Sequence, residues 1–390
     1  MEQESLSQIQ VREVSNPEEI QDFVHFPLTL YKDNPYFVPS LINEELEIWN
    51  PDKNPAYEYC ESRQFLAFRG NEIAGRIAVI INHKEAKELG IHKVRFGWFD
   101  FIDDKNVSYA LLRAAVDFAS SRNIPAIEGP MGFTNLDKAG MLTEGFDRLA
   151  TMIGIYNHSY YPKHLEALGL RKDKEWVEFE IMFPEKLPEK VIRFSDLTLE
   201  KYGLKVLRFK SKNEILPLIE PMFRLLDKTY RGLSTYTPIT DGQIESYKEK
   251  YFKFLDKDFL ICIADKQNDL IAFAVTMPSY SKALQKSNGK LFPFGWWHFW
   301  RAGIKNDRAN FYLIGIHPDY QRRGLTSIIF REIYDVFKRK GVKYLETNPE
   351  LEDNKQVQLL WQDYDPVNHK RRSTYSISVE AFFEKNAKNH

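Results

Sequence analysis

Cysteine is nearly absent: Cys60 and Cys262 are the only two in 390 residues. They lie far apart and lack metal-ligand spacing. That argues against a disulfide framework or a structural zinc site and fits a reducing compartment. A charge excess of either sign is also missing, with 54 Lys+Arg against 55 Asp+Glu for a net charge of -1. Without a basic excess there is no general pull toward nucleic acid or an anionic membrane, so any polyanion site has to be local and no nucleic-acid partner is expected. No apolar run reaches the ~18 residues that a membrane span needs. The opening MEQESLSQIQ has neither a basic n-region nor an apolar h-region. A soluble cytoplasmic protein is the expectation. The length exceeds one ordinary core, and two domains are the default.

What is present is an internal repeat. Arg63–Asn82 (RQFLAFRGNEIAGRIAVIIN) reads as two strands around the turn Arg69-Gly70-Asn71, and Val94–Asp104 (VRFGWFDFIDD) as a third. A helix follows with Leu111, Leu112, Ala115, Val116 and Ala119 on one face. Ile124–Pro130 is a short buried-type strand. The second half repeats this order. Asp258–Ser279 reads as a hairpin and Phe311–Pro318 (FYLIGIHP) as a strand. A helix follows with Leu325, Ile328, Ile329, Val336 and Phe337 on one face, then the strand Val342–Pro349. Strand-helix-strand implies a right-handed parallel crossover, and the preceding hairpin makes each sheet mixed. The expected fold is therefore α/β with α+β-type mixed sheets, in two similar domains. Two prolines and mixed charge in residues 184–203 mark the connection, placing the boundary at about residue 195: domains 1–195 and 196–390. Residues 280–310 interrupt the second repeat and hold Trp296, Trp297 and Trp300. An insert of that length is usually functional or flexible.

The two halves differ at one turn. In Ile314–Ser327 (IGIHPDYQRRGLTS) an apolar strand runs through Gln321, Arg322, Arg323 and Gly324 into a helix. A helix N-terminus has N–H groups without internal partners and the positive dipole end, a ready site for phosphate or pyrophosphate. Gly324 allows close approach and positive φ, the arginines add charge, and Gln321 adds an amide donor. The bland alternative is an ordinary βα turn with solvated charges. The corresponding first-half turn, Phe101–Tyr109 (FIDDKNVSY), has no glycine and presents Asp103 and Asp104, which would repel a pyrophosphate.

The string LIGIHPDYQRRGLTS resembles motif A of the GNAT (Gcn5-related N-acetyltransferase) superfamily, with Thr326 where Gly or Ala is usual. The resemblance implies two tandem GNAT-like (acyl-CoA N-acyltransferase) domains. It implies that backbone N–H groups of Gln321, Arg322, Arg323, Gly324, Leu325 and Thr326 hold the pyrophosphate of acyl-CoA, as acetyl-CoA or a relative. Backbone groups of Ile314, Gly315 and Ile316 would hold the pantetheine arm like an added strand. The downstream motif agrees in part. Asn354 stands where it begins and Leu360 fits its apolar slot, but Trp361 replaces the usual acid tyrosine. Tyr364 is the substitute acid, three residues on. The first half has the family's closing helix and strand in Tyr160–Ile181 but not its phosphate turn. The layout GPMGF…GMLTEGFD…YNHSYYPKHLEALGL is similar to YghO-like bacterial two-domain proteins.

Other residues carry weaker signals. Glu346, in the strand after the second helix, is the base candidate. Asn135 in the glycine-rich loop Gly129–Asp147, Tyr161, Trp297 and His298 are candidates for the acceptor site, each with packing or surface exposure as the plain alternative. The expected activity is an acyltransferase that moves an acyl group, acetyl first, from acyl-CoA to an amine of a small molecule or peptide, without a metal. The second half binds the donor and the first helps form the acceptor side. Two alternatives stay open: aminoacyl or long-chain acyl transfer from tRNA or acyl carrier protein, and a non-catalytic acyl-CoA or lipid-headgroup binding module. The sequence names neither the acceptor nor the oligomeric state.

Overall fold

The computed structural model describes residues 8–231, 236–252, 254–354, 358, 361 and 364–387. In chain order the first elements are β1 (Ile9–Glu13), α1 (Pro17–Leu30), α2 (Ile42–Ile48), β2 (Cys60–Arg69), β3 (Glu72–Asn82), α3 (His83–Leu89), β4 (Val94–Phe101), α4 (Lys105–Ser121), β5 (Ala126–Gly129), β6 (Met141–Glu144), α5 (Tyr160–Ala167) and β7 (Arg171–Met182). Then come α6 (Glu189–Tyr202), β8 (Lys205–Val206), α7 (Leu216–Tyr230), α8 (Asp241–Phe252), β9 (Leu260–Ala264), β10 (Leu270–Pro278), α9 (Ser281–Ser287), α10 (Gly295–Ile304), β11 (Arg308–Ile316), α11 (Leu325–Lys340), β12 (Tyr344–Thr347), β13 (Glu350–Leu351), β14 (Val367–Ser378) and α12 (Val379–Asn386).

Two compact units result. One comprises Met1–Val177, Ser281–His298 and His369–His390; the other Glu178–Tyr280 and Phe299–Asn368. The boundary expected near residue 195 falls inside α6, in the second unit. The units are not contiguous in sequence, because β14 and α12 from the end of the chain complete the first one.

In the first unit the strand order is β1-β2-β3-β4-β5-β14-β7. The β2–β3 hairpin turns at Gly70, whose φ of 60° suits glycine. The unbroken apolar run of β3 is explained by burial on both faces. Ile77, Val79 and Ile81 share a core with Leu111, Leu112, Ala115 and Val116 of α4, while Ala78 and Ile80 pack with Phe23 of α1 and with Trp49. β4 pairs in parallel with β5 only at Val94 and Arg95. Its pairing with β3 shifts register between Arg76 and Ala78, opposite Trp98, whose φ is 44°.

The second unit repeats the device in the order β7-β12-β11-β10-β9-β8. The β9–β10 turn is tied by the Asp265 carboxylate, which accepts from the N–H groups of Gln267 and Asp269. α11 buries the face read from its sequence, Leu325, Ile328, Ile329, Val336 and Phe337, against Ile271, Ala309, Phe311 and Leu345 of the sheet. Each such large side chain stabilises by about 1.5–3 kcal/mol relative to exposure. Gly341 ends the helix at φ 75°. β11 pairs in parallel with β12 from Arg308 to Phe311. There the register with β10 shifts past Tyr312, and β11 continues along β10 to Ile316 while β12 ends at Thr347. Beyond this register shift the outer edge of β11 has no strand partner among the described residues.

Candidate active site

The open edge of β11 leads into the turn that sequence analysis singled out. His317 donates its backbone N–H to the Ile271 carbonyl on β10 at 2.8 Å. Since strand residues alternate edges, Ile314 and Ile316 direct their backbone groups to the other, open side. Gly315 lies between them on a closely packed strand: a Cβ there would come within 2.5 Å of the Phe273 ring.

The chain then makes a 3-10 turn at Pro318–Tyr320. Arg322 takes φ 60° and Gly324 φ 86°, so two left-handed residues precede α11. Such a turn gathers backbone N–H groups into an anion-holding concavity at the positive end of a helix. Gly324 is required twice, by its φ and because a Cβ would sit 2.8 Å from the Thr198 hydroxyl on α6. The Arg323 guanidinium lies over the rings of Tyr202 and Tyr320, 5.4 and 5.5 Å from their centroids. Those faces keep a cation at the turn. Arg322 is exposed. The Gln321 side-chain amide donates back to the Ile316 carbonyl at 3.2 Å, so its part is to brace the turn. Leu325 contributes only its backbone, since its side chain is in the core. Thr326 is half-buried in the first turn of α11. These residues fit a pyrophosphate.

The end of α7 meets the same edge. The Thr229 hydroxyl donates to the Ile316 carbonyl at 3.2 Å, and Tyr230 OH reaches the Ile314 carbonyl at 3.5 Å. An extended ligand added to this edge has the two backbone N–H groups available; to reach the carbonyls it must compete with these hydroxyls.

Beside Tyr230 lies a residue that sequence reasoning did not select. Glu350 is largely buried, and burial pushes its carboxyl up to about 7; the Trp361 N–H, which donates to Oε1 at 2.7 Å, opposes the rise. Oε2 is buried with no hydrogen-bond partner among the described residues. Burial, together with the charge of Glu350, pushes Tyr230 up to about 12, which keeps that hydroxyl protonated. Trp361 is thus the clamp of a carboxyl whose proton affinity suits acid–base work near neutrality.

The earlier candidates are distributed differently. Glu346 pairs across the sheet with Asn310 and Glu180, and a carboxylate oxygen of Glu178 lies within 4.8 Å. It belongs to a charged strip with Arg308, whose guanidinium bonds to Glu180. Its neighbour Leu345 faces the α11 core, which puts Glu346 on the opposite face. Tyr364 is in that core, its ring 5.1 Å from Phe330 and 6.5 Å from Phe183. Asn354 donates its backbone N–H to Leu351 in the turn after β13. Leu360 lies outside the described residues. Asn135 and Tyr161 belong to the first unit, as do Trp297 and His298 at the start of α10. Asn135 is exposed and accepts from Arg95 at 3.4 Å. Tyr161 is only 1% exposed; its hydroxyl bonds to Tyr31 OH at 2.8 Å and accepts from the Phe101 N–H at 2.9 Å. It is a core tyrosine.

Those last bonds explain how the first unit differs. Its corresponding edge, on β4, is filled: Phe96 accepts from Met131, Tyr161 takes the Phe101 N–H, and Tyr160 donates to the Phe101 carbonyl. The helix start is filled as well. Asp104 caps α4 by accepting from the Asn106 N–H at 2.8 Å and pairs with Arg69. Asp103 meets His164 at 2.9 Å. Asp104 occupies the place of an external anion with one of the chain's own.

Comparison with known proteins agrees with this geometry. The Acetyltransferase (GNAT) family pattern matches residues 220–363, which takes in most of α7, the open edge, the turn and Glu350. A tandem GNAT protein from the clavulanic acid biosynthesis pathway superposes with a TM-score of 0.56 at 10% identity, covering 95% of this chain and 99% of that one. This chain has a tandem GNAT fold. A GCN5-related N-acetyltransferase from Sphaerobacter thermophilus has the same fold, with a TM-score of 0.50, 10% identity and 95% and 96% coverage. In sequence, this chain is 26% identical to Protein YghO of Escherichia coli (strain K12) over 95% of each chain. It is 24% identical to Bacterial ceramide synthase of Caulobacter vibrioides (strain NA1000 / CB15N), over 94% of this chain and 96% of that one. Among the described residues, no helix is long and apolar enough to cross a membrane.

Proposed function

We propose that the protein transfers an acyl group from acyl-CoA to the amine of a small molecule, with donor binding and chemistry both in the second unit. The observation that carries this reading is the convergence of three features on one strand edge. They are the open N–H groups of Ile314 and Ile316, the left-handed turn at Arg322 and Gly324, and Glu350 with its raised carboxyl. The turn N–H groups and Arg323 would hold the pyrophosphate, and the β11 edge would hold the pantetheine arm in line with Glu350.

The reaction forms a C–N bond at the thioester carbonyl and breaks the C–S bond, giving an amide and a free thiol. Glu350 accepts the proton that the attacking amine loses. A carboxyl titrating near 7 is also acidic enough to return that proton to a thiolate, whose conjugate acid titrates near 8.5. One residue can therefore serve in both directions, and no separate tyrosine acid is needed. Tyr230, held protonated, donates a hydrogen bond to the carbonyl or the departing sulfur. Among relatives, the one named a ceramide synthase supports a long-chain amine as acceptor, since a ceramide is an amide of such a base.

Calorimetry with acetyl-CoA and a long-chain acyl-CoA, followed by thiol release with short and long-chain amines, tests the reading. No binding of either donor at millimolar concentration refutes it. Binding without thiol release across the amines favours the binding-module alternative, and binding unchanged by Gly324→Glu removes the turn from the site.

A further inference from the structure

The insert in the second repeat has its amphipathicity turned outward. In α10 the side chains of Trp296, Trp300 and Ile304 recur at four-residue spacing, with Trp297 beside them, so they share one face. That face is solvent-exposed: Trp296 51%, Trp300 53% and Ile304 59%. Phe292 at 77% and Phe294 at 75% extend it through the preceding turn. A soluble helix normally turns its apolar face to the core and its polar face to water.

The segment is nonetheless firmly rooted. Leu284 of α9 is fully buried, and Gln285 donates to the carbonyls of Pro35 and Phe37 at 2.9 Å each. Ile42 donates its N–H to the Gly289 carbonyl at 3.0 Å. On the inner side of α10, Phe299 stacks on Tyr280 at 5.4 Å.

Charge identifies the occupant. Residues 281–306 contain Lys282, Lys286, Lys290, Arg301 and Lys305 and not one Asp or Glu, in a chain whose net charge is -1. Another exposed apolar group, Ile192, Phe194 and Leu197 on α6, lacks this bias: α6 holds Glu189, Asp196 and Glu200 against Lys190, Arg193 and Lys201. Exposed aromatic side chains in a segment whose charges are all lysine and arginine match the polar–apolar boundary of a bilayer that carries anionic headgroups.

We infer that residues 290–305 dock the protein on the surface of an anionic phospholipid bilayer. The aromatic face of α10 and the Phe292–Phe294 turn enter the headgroup region, and the basic residues lie at the phosphates. The docking is peripheral, since α10 is far too short to span.

Flotation of the full chain with vesicles of phosphatidylcholine, with and without phosphatidylglycerol, tests this. The intact chain should float with phosphatidylglycerol vesicles, and high salt should weaken the binding. The triple variant Phe294→Ser, Trp296→Ser, Trp300→Ser should bind at least about tenfold more weakly with an unchanged melting temperature. Lys290→Glu with Lys305→Glu should lose about tenfold or more on anionic vesicles and little on neutral ones. Phe194→Ser with Leu197→Ser should float like the parent. The inference falls if the parent floats with neither vesicle, or if the triple variant floats like the parent. It also falls if the parent fails to float but self-associates in sedimentation through this face, which would make a second copy its cover.

Discussion

Replacing Glu350 by glutamine should make the protein more stable at alkaline pH than at acidic pH, relative to the parent. The carboxyl titrates at about 7 when folded against an ordinary 4.5, so the folded state holds the proton more tightly. Its contribution to stability is fully present below pH 4.5 and is lost as pH rises through about 7. At 1.36 kcal/mol per pH unit of difference, the full loss is about 3 kcal/mol, of which about 2–3 kcal/mol falls between about pH 5 and about pH 8. Glutamine keeps an acceptor for the Trp361 N–H but cannot ionise. Any constant cost of placing its amide near the Oε2 position cancels between the two pH values. Urea unfolding of parent and Glu350→Gln at both pH values reads this difference directly. A gap that changes by less than about 0.5 kcal/mol between them would show that Glu350 does not titrate where its burial requires. The same variant should lower kcat/KM by about 100-fold or more, and the acid limb near pH 7 of the parent's profile should disappear. Activity retained at the parental level would remove Glu350 from the chemistry while leaving the stability argument intact.

Gly324→Ala should weaken acetyl-CoA binding and destabilise the fold by about 1–2 kcal/mol, because alanine is strained at positive φ and its Cβ meets Thr198; calorimetry and urea unfolding measure the two effects. Gly315→Ala should cost about 1–3 kcal/mol by crowding Phe273, and Phe273→Leu in the same chain should recover part of it. Tyr230→Phe, which removes the hydroxyl at the open edge, should lower kcat by about tenfold without weakening donor binding, since the Ile314 carbonyl becomes accessible. Acetyl-CoA should titrate at one per chain, and Asp104→Ala should leave that ratio unchanged while destabilising the first unit by about 1 kcal/mol. A second equivalent bound would contradict the closed edge of β4.

The parts of the fold written in local periodicity were readable. The buried faces of α4 and α11 consist of the residues that share a helical face in the sequence, and the hairpin turns fall at Gly70 and Asp265–Asp269. The asymmetry between the two βα turns was readable too, because an aspartate that caps a helix and a glycine that opens a turn are both local signals. Glu350 was hidden for a physical reason. A glutamate in NPELEDN looks solvated, and its raised carboxyl comes from burial that only the folded chain supplies, beside Trp361, eleven residues later, and Tyr230, 120 residues earlier. Tyr161 misled in the opposite sense, since an aromatic beside a strand end is consistent with either a cleft wall or a core, and its hydroxyl partners Tyr31 and Phe101 settle it as core.

The membership of β14 in the first unit has a consequence for synthesis. β5 pairs with β4 on one side and with β14 on the other, through Ile377 opposite Ile127 and Tyr375 opposite Gly129. When a ribosome has delivered Gly129, the strand that covers this edge is still more than two hundred residues away. At about 5–20 residues per second the wait is roughly 10–50 s. Throughout it the nascent first unit carries an open sheet edge, the kind of surface that recruits chaperones or other strands. A chain stopped anywhere before Val367 never closes it. Closure of the first unit thus reports that the whole second unit has been made.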